Sequence, residues 1–475
     1  MKMSNKESQV MQLEKIIYQL MRRYKVPGLA ISIVQEGEIV YEKGFGARNL
    51  EESLPMTHDT LIGIGSITKS FTAMLILQLQ AEDLLSVKDS VKNYLDIEPF
   101  ISNPQIKIKH LLSHSSGIPS VDAQWLPIAI TFGDYKRIYP VTSREDYLHH
   151  ISETKDEIFF EPGEKLFYNN DMYALLGMII ENLTGKSYET ILTEKILTPL
   201  EMNRATVSRG KLEQDPMQNY IRGYLHKSNG GDGGKSGQTK LIHPKLPFSR
   251  DLQAPGGIFA SMHELANYGN CLLQKGKFKE NLILPSEYFD LLWKPRIKSP
   301  YGYGKDPYYC FGWVKEDDVF DHTFIHHAGG IGVSTSFLGL IPEMQLAVCC
   351  AENDDAGITG IVGMSALSLM VGKDPSKTIE KYQILEIYEE IKGKYKSSLG
   401  LYDLEVLMEN QSIYIKVESD DGTFKFPLIA RDLNTLDFKL ALTVPYPIKG
   451  VRFHRDIESG RVRFVTYDRY LYHKI

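Results

Sequence analysis

The stretch GIGSITKSFTAM, residues 63–74, sets Ser66 three residues before Lys69, with glycines ahead of the pair and apolar side chains behind it. Ile67, Phe71, Met74, Leu75 and Leu79 leave almost no solvated face in the first turns of the helix they predict, so that helix is expected to be buried. Burial changes what Lys69 is. An ammonium removed from water loses several kcal/mol of hydration unless it is paired or gives up its proton, and its pKa falls. Residues i and i+3 share a helix face, so a partly deprotonated amine can accept the proton of the Ser66 hydroxyl. The helix N-terminus favours negative charge developing there. Read structurally instead, Ser66 is an N-cap and Lys69 snorkels to the surface. The chain repeats Ser-x-x-Lys at Ser152/Lys155 and Ser208/Lys211 in polar, loop-like surroundings, so spacing alone does not choose between the readings.

Outward from this stretch, residues 8–24 carry apolar side chains at helical spacing and end at Val26-Pro27-Gly28. LAISIVQEGEIVYEKGFG reads as two strands joined at Glu36-Gly37. Residues 66–300 are mostly helical in pattern, and strands return near residue 324 in FIHHAGGIGVSTSFLGLI and QLAVCCAEN, followed by an apolar helix at about 357–372. Strands at both ends with helices between predict an α+β fold, one antiparallel sheet built from both chain ends with a helical lobe inserted. The expected domains are 1–374, a helical linker at 375–392, and a small all-β barrel at 393–475, where short alternating runs such as SIYIKVES and VRFVTYD are separated by turn residues. SNGGDGGKSG, residues 228–237, reads as a flexible surface loop.

A serine acyl transferase or hydrolase also needs a proton shuttle, substrate-positioning groups and an oxyanion hole. FYNNDMYALLGMI offers Tyr168 and Asn170 on a turn before an apolar helix, and HHAGGIGVSTSF offers His327 followed by Gly329 and Gly330, small residues that let a substrate approach the backbone. Each has a plain structural reading: Tyr168 a core residue, Asn170 an N-cap, His327 a satisfied strand histidine. Tyr268-x-Asn270 and Lys235-Ser236-Gly237 mimic the second and third elements, the one inside a helical pattern and the other inside the glycine-rich loop.

Ser66-x-x-Lys69, Tyr168-x-Asn170 and His327-x-Gly329, in this order, resemble the three signatures of the serine β-lactamase-related and penicillin-binding-protein-like hydrolases, above all their Ser-x-x-Lys peptidase and esterase branch. VPGLAISIV, IKHLLSHSSGIP and APGGIFASMHELANYG resemble that framework as well, so the likeness spans about residues 10–372. It implies Ser66 as nucleophile; Lys69, Tyr168 and His327 as the proton-transfer groups; Asn170 and Gly329 on the substrate; and the backbone N–H groups of Ser66 and Gly330 as the oxyanion hole. Asn170 is further expected to hold Lys69. Which of Lys69, Tyr168 and His327 takes the first proton stays open. The third signature departs from the β-lactamase pattern, with histidine where lysine is usual. A neutral imidazole attracts a substrate carboxylate less than an ammonium does, which disfavours β-lactams relative to peptides, amides or esters. GKYKSSLG and the strands after it resemble the lipocalin-like barrel appended to some of these peptidases, where it covers the site or supports assembly into a homo-oligomer.

Composition narrows the alternatives. The 475 residues carry a formal charge of −6 and 43% hydrophobic side chains, with no basic stripe for nucleic acid and no run of membrane-spanning length. Four cysteines form no Cys-x-x-Cys pair, which fits a reducing, cytoplasmic setting. No cofactor and no metal are expected: His110 and His114 in HLLSH lack a zinc signature, and NGGDGGKS has Asn229 where a phosphate-binding loop needs glycine. A non-catalytic scaffold of the same fold is the remaining rival.

Overall fold

The computed structural model describes residues 5–133, 141, 143–228, 239–409, 412–419, 422–441, 450–467 and 470–475. From Asn229 onward the glycine-rich loop, with its Lys235-Ser236-Gly237 and phosphate-loop look-alikes, lies outside them. The chain divides into two compact units, Met1–Val371 and Gly372–Ile475.

The first unit is organised by a nine-stranded antiparallel sheet. Its order is Ile297–Lys298, Tyr308–Tyr309, Val314–Val319, His322–Gly330, Thr335–Ile341, Leu346–Glu352, Gly28–Gln35, Glu38–Asn49 and Leu54–Pro55. The first and last strands of this unit pair inside the sheet, where Ile31 faces Cys350. The hairpin at Glu36-Gly37 turns with φ of 54° and 87°, a pair of left-handed residues whose twist suits a two-residue connection. All seven residues of Leu346–Glu352 are buried, because helices cover both faces: the Cys349 thiol points to Met262 at the start of helix Met262–Leu273, and the Cys350 thiol to Thr359 at the start of helix Thr359–Met370. Helix Asn5–Tyr24 packs behind the latter.

The inserted lobe centres on helix Thr68–Ala81, whose residues from Thr68 to Leu79 are all buried. Helix Asn170–Thr184 and the short Gln253–Gly256 turn pack against it. The strand Val314–Val319 escapes the sequence pattern, because VKEDDV shows no apolar alternation: its buried position Glu316 is a carboxylate.

The second unit contains eight antiparallel strands in sequence order, from Gly393–Ser397 to Tyr470–Lys474, closed where Tyr395 pairs with Lys474. Side chains such as Tyr395, Ile415, Phe438, Phe453 and Val465 fill its core. Helix Glu380–Ile391 packs Ile384, Ile387 and Tyr388 on the same core, and Arg455 grips Glu390 with two hydrogen bonds of 2.6 and 2.7 Å.

Candidate active site

Ser66 sits in a 3₁₀ turn, Gly65–Ile67, that runs directly into helix Thr68–Ala81. Gly65 has φ +52°, and a Cβ there would fall 2.2 Å from the Gly330 nitrogen. The turn therefore presses on the end of strand His322–Gly330. A Cβ on Gly329 would fall 2.0 Å from the Ile64 carbonyl oxygen, so glycine is required there by the chain's own packing. Ser336 and Ser334 tie the same turn to the sheet by donating to the carbonyls of Ile64 and Gly63. These contacts set the amide of Gly330 beside the residue that precedes Ser66.

Lys69 is 0% exposed. Its Nζ lies 2.9 Å from Ser66 Oγ and donates to the Pro255 carbonyl at 2.8 Å. Its pKa is lowered well below the usual lysine value, by burial. The faces of Tyr168 and Tyr173 lie 4.8 and 5.6 Å from Nζ. A desolvated cation over a ring recovers about 2 kcal/mol, less than the several kcal/mol of hydration an ammonium gives up. Burial therefore shifts Lys69 toward the neutral amine. The amine lies against the hydroxyl of Ser66, which is only half-buried.

Tyr168 is hydrogen-bonded to Ser66, and burial pushes its phenol above the ordinary tyrosine range. It is therefore a neutral phenol at physiological pH. The helix behind it starts with Asn169 as its cap: the Asn169 side chain accepts from the Asp171 and Met172 amides and donates to the Ile118 and Pro119 carbonyls. The capping reading belongs to Asn169, and the Asn170 side chain has no hydrogen-bond partner among the described residues. Lys69 is held by Pro255 and not by Asn170.

The His327 ring lies 6.3 Å from the Tyr168 ring. Its pKa is pushed down to about 3, by burial first and the neighbouring Lys69 second. His114 sits against Tyr168 at 4.2 Å, and its Nδ1 accepts the Asn169 amide. His110 accepts the Lys107 amide as part of a helix cap. The described residues hold no cluster of three potential metal ligands.

Sequence reasoning missed Tyr309, Tyr173 and the Pro255 carbonyl. Tyr309 is hydrogen-bonded to His327 at 3.1 Å. The aromatic run YYCFGW at 308–313 marked a packed segment, but its meeting with His327 is set by strand register. Pro255 contributes a backbone atom, which leaves no side-chain signature.

An antiparallel sheet carrying one wall, a buried helix carrying serine and lysine, and a turn carrying tyrosine make up a serine-hydrolase-type fold. A family model described as Beta-lactamase matches residues 13–360, and the chain belongs to that family. The octameric penicillin-binding protein homologue from Pyrococcus abyssi superposes with a TM-score of 0.87 at 31% identity, over 98% of this chain and 100% of that one. Penicillin-binding protein 4* of Bacillus subtilis (strain 168) is 22% identical over 89% of this chain and 90% of its own length. Protein flp of Staphylococcus aureus (strain MW2) is 27% identical over 72% of this chain and 62% of its own. The β-lactamase and transpeptidase-like fold with an added barrel is thereby established. No helix among the described residues is long and apolar enough to cross a membrane.

Proposed function

We propose that the protein is a serine hydrolase that forms an acyl-enzyme on Ser66 and cleaves amides or peptides, with esters as the second substrate class. The observation that carries this reading is the 2.9 Å approach of a fully buried Lys69 amine to Ser66 Oγ. The neutral amine, with Tyr168 alongside, draws the proton from the hydroxyl as Ser66 attacks the acyl carbon. The amides of Ser66 and Gly330 hold the oxyanion. Tyr168 returns the proton to the leaving nitrogen or oxygen, and water releases the acyl group. Asn170, whose side-chain amide is unspent among the described residues, hydrogen-bonds the substrate.

The ester reading gains support from the uncharged state of His327, which leaves a substrate carboxylate without a cation at that wall. A scaffold role has no comparable support, because burying a lysine without a carboxylate partner costs stability and such perturbed groups cluster at functional sites. The likeness to an octameric homologue supports self-association, which light scattering of the full chain measures directly. The four described cysteines are free and buried, in keeping with a reducing compartment.

Labelling with a fluorophosphonate probe, located by mass spectrometry, tests the hydrolase. Modification at Ser66 that disappears in Ser66→Ala is expected, together with turnover of at least one member of a panel of p-nitrophenyl esters and L- and D-aminoacyl anilides. An unlabelled Ser66 in folded protein sinks the reading.

A further inference from the structure

His327 faces a chain of hydrogen bonds whose direction can be worked out atom by atom. Its Nδ1 lies 2.6 Å from the Ala328 carbonyl, and a carbonyl only accepts, so Nδ1 carries a proton. Its Nε2 lies 3.1 Å from the Tyr309 hydroxyl. Tyr309 also reaches Tyr173, but the Tyr173 hydroxyl spends its own proton on the Leu112 carbonyl at 2.6 Å. Tyr309 therefore has one proton to give and two acceptors to choose from. Giving it to Tyr173 would leave Nε2 either facing the Tyr309 oxygen with no hydrogen bond or carrying a proton of its own, which makes an imidazolium. That cation would be buried, and the titratable groups around it are Lys69, His326, His114, Tyr168 and Tyr309, none of them a carboxylate.

We propose that Tyr309 is a positioning residue that donates to His327 Nε2 and locks the imidazole as the neutral Nδ1–H tautomer, giving the site an uncharged wall suited to substrates with no carboxylate beside the scissile bond. This rests on the hydrolase reading and deepens it. With both ring nitrogens committed, His327 takes no proton from Ser66, and that step falls to Lys69 and Tyr168. Tyr309 is buried and is fixed by backbone pairing of strand Tyr308–Tyr309 with Val314–Val319, so the donor arrives pre-aimed.

Nitrogen NMR of the full-length protein labelled with ¹⁵N-histidine reads the tautomer, with His327 assigned by the signal lost in His327→Gln. The expected spectrum shows Nδ1 protonated and Nε2 bare and hydrogen-bonded, unchanged from pH 5 to 9. The opposite tautomer, or an imidazolium in that range, overturns the proposal without any variant at Tyr309 having to fold. Tyr309→Phe is expected to move the Nε2 signal off its hydrogen-bonded position and to lower kcat about tenfold with KM within about twofold. Unchanged kcat in that variant overturns the positioning role. A matched pair of chromogenic esters, one bearing a carboxylate beside the scissile bond and one its methyl ester, is expected to show about tenfold preference for the neutral member. Preference for the carboxylate overturns the substrate class. Loss of fluorophosphonate labelling at wild-type Ser66 strikes the hydrolase reading alone, because the tautomer is measured independently of turnover.

Discussion

His326 and His327 are neighbours on one strand, and alternation sends them to opposite faces of the sheet. His326 stacks on Phe324 at 4.6 Å and donates to Glu316 at 2.8 Å, with both side chains buried. Glu316 also accepts the amides of Tyr303 and Gly304, so one carboxylate pins the segment whose Tyr301 lies edge-on to Tyr168. On the other face, His327 and Lys69 share a buried space in which neither has a carboxylate partner among the described residues. The chain places a hydrogen-bonded imidazole–carboxylate pair on one face of the sheet, and leaves the buried amine on the other face without a carboxylate among the described residues.

Lys69→Met breaks the reactive side and carries the largest expected effect. Turnover falls by roughly 10³-fold or more, as for loss of a general base. Stability moves the other way. The folded-state pKa of Lys69 is depressed, so between that value and the unfolded lysine value the unfolded chain binds more protons than the folded one. Stability therefore rises with pH across that window, and the cost of neutralising Lys69 is greatest at its acid end. Methionine removes this cost, and melting at pH 7 is expected to rise by about 2–4 °C with a flatter pH dependence. A variant that is both inactive and less stable would show that Lys69 is held as a paired structural cation.

Glu316→Gln breaks the structural side, and its sign is opposite. Burial alone would raise this carboxyl, but hydrogen bonds from His326 and from the Tyr303 and Gly304 amides hold it below the usual range. A depressed carboxylate contributes stability that is present above the unfolded value and lost as pH falls through the folded one. The variant is expected to lose about 1–3 kcal/mol, measured by denaturant unfolding at pH 7. The difference from wild type should shrink toward pH 3. Its kcat should change less than its KM, because the displaced segment reaches Tyr168 only through Tyr301.

Residues whose neighbours lie close along the chain are legible in the amino-acid pattern. The unbroken apolar run after Ser66 announces a buried helix and hence a buried Lys69, and Glu36-Gly37 announces a hairpin that closes with two positive φ angles. Where meaning is created by register, the sequence is silent. Nothing in VKEDDV marks Glu316 as the buried partner of a histidine ten residues on, and nothing in YYCFGW aims Tyr309 at His327. Asn170 shows a third limit. The pattern locates a capping asparagine, but two adjacent asparagines differ only in backbone geometry, and it is Asn169 with φ −140° and ψ 109° that turns its amide onto the helix.

The smallest expected change sharpens the comparison most. If the amine is the titrating base, the rise of kcat/KM with pH reports Lys69, whose depression comes from burial and not from a neighbouring charge. His327, pushed down to about 3, is already neutral across the working range and contributes no step between pH 5 and 8. His327→Ala should therefore lower kcat/KM at every pH while leaving the midpoint of the acid limb within about 0.3 pH units of wild type, since removing an uncharged ring alters desolvation of Lys69 only slightly. Disappearance of the limb, or a displacement of a full pH unit, would move the proton-accepting role from the amine to the imidazole.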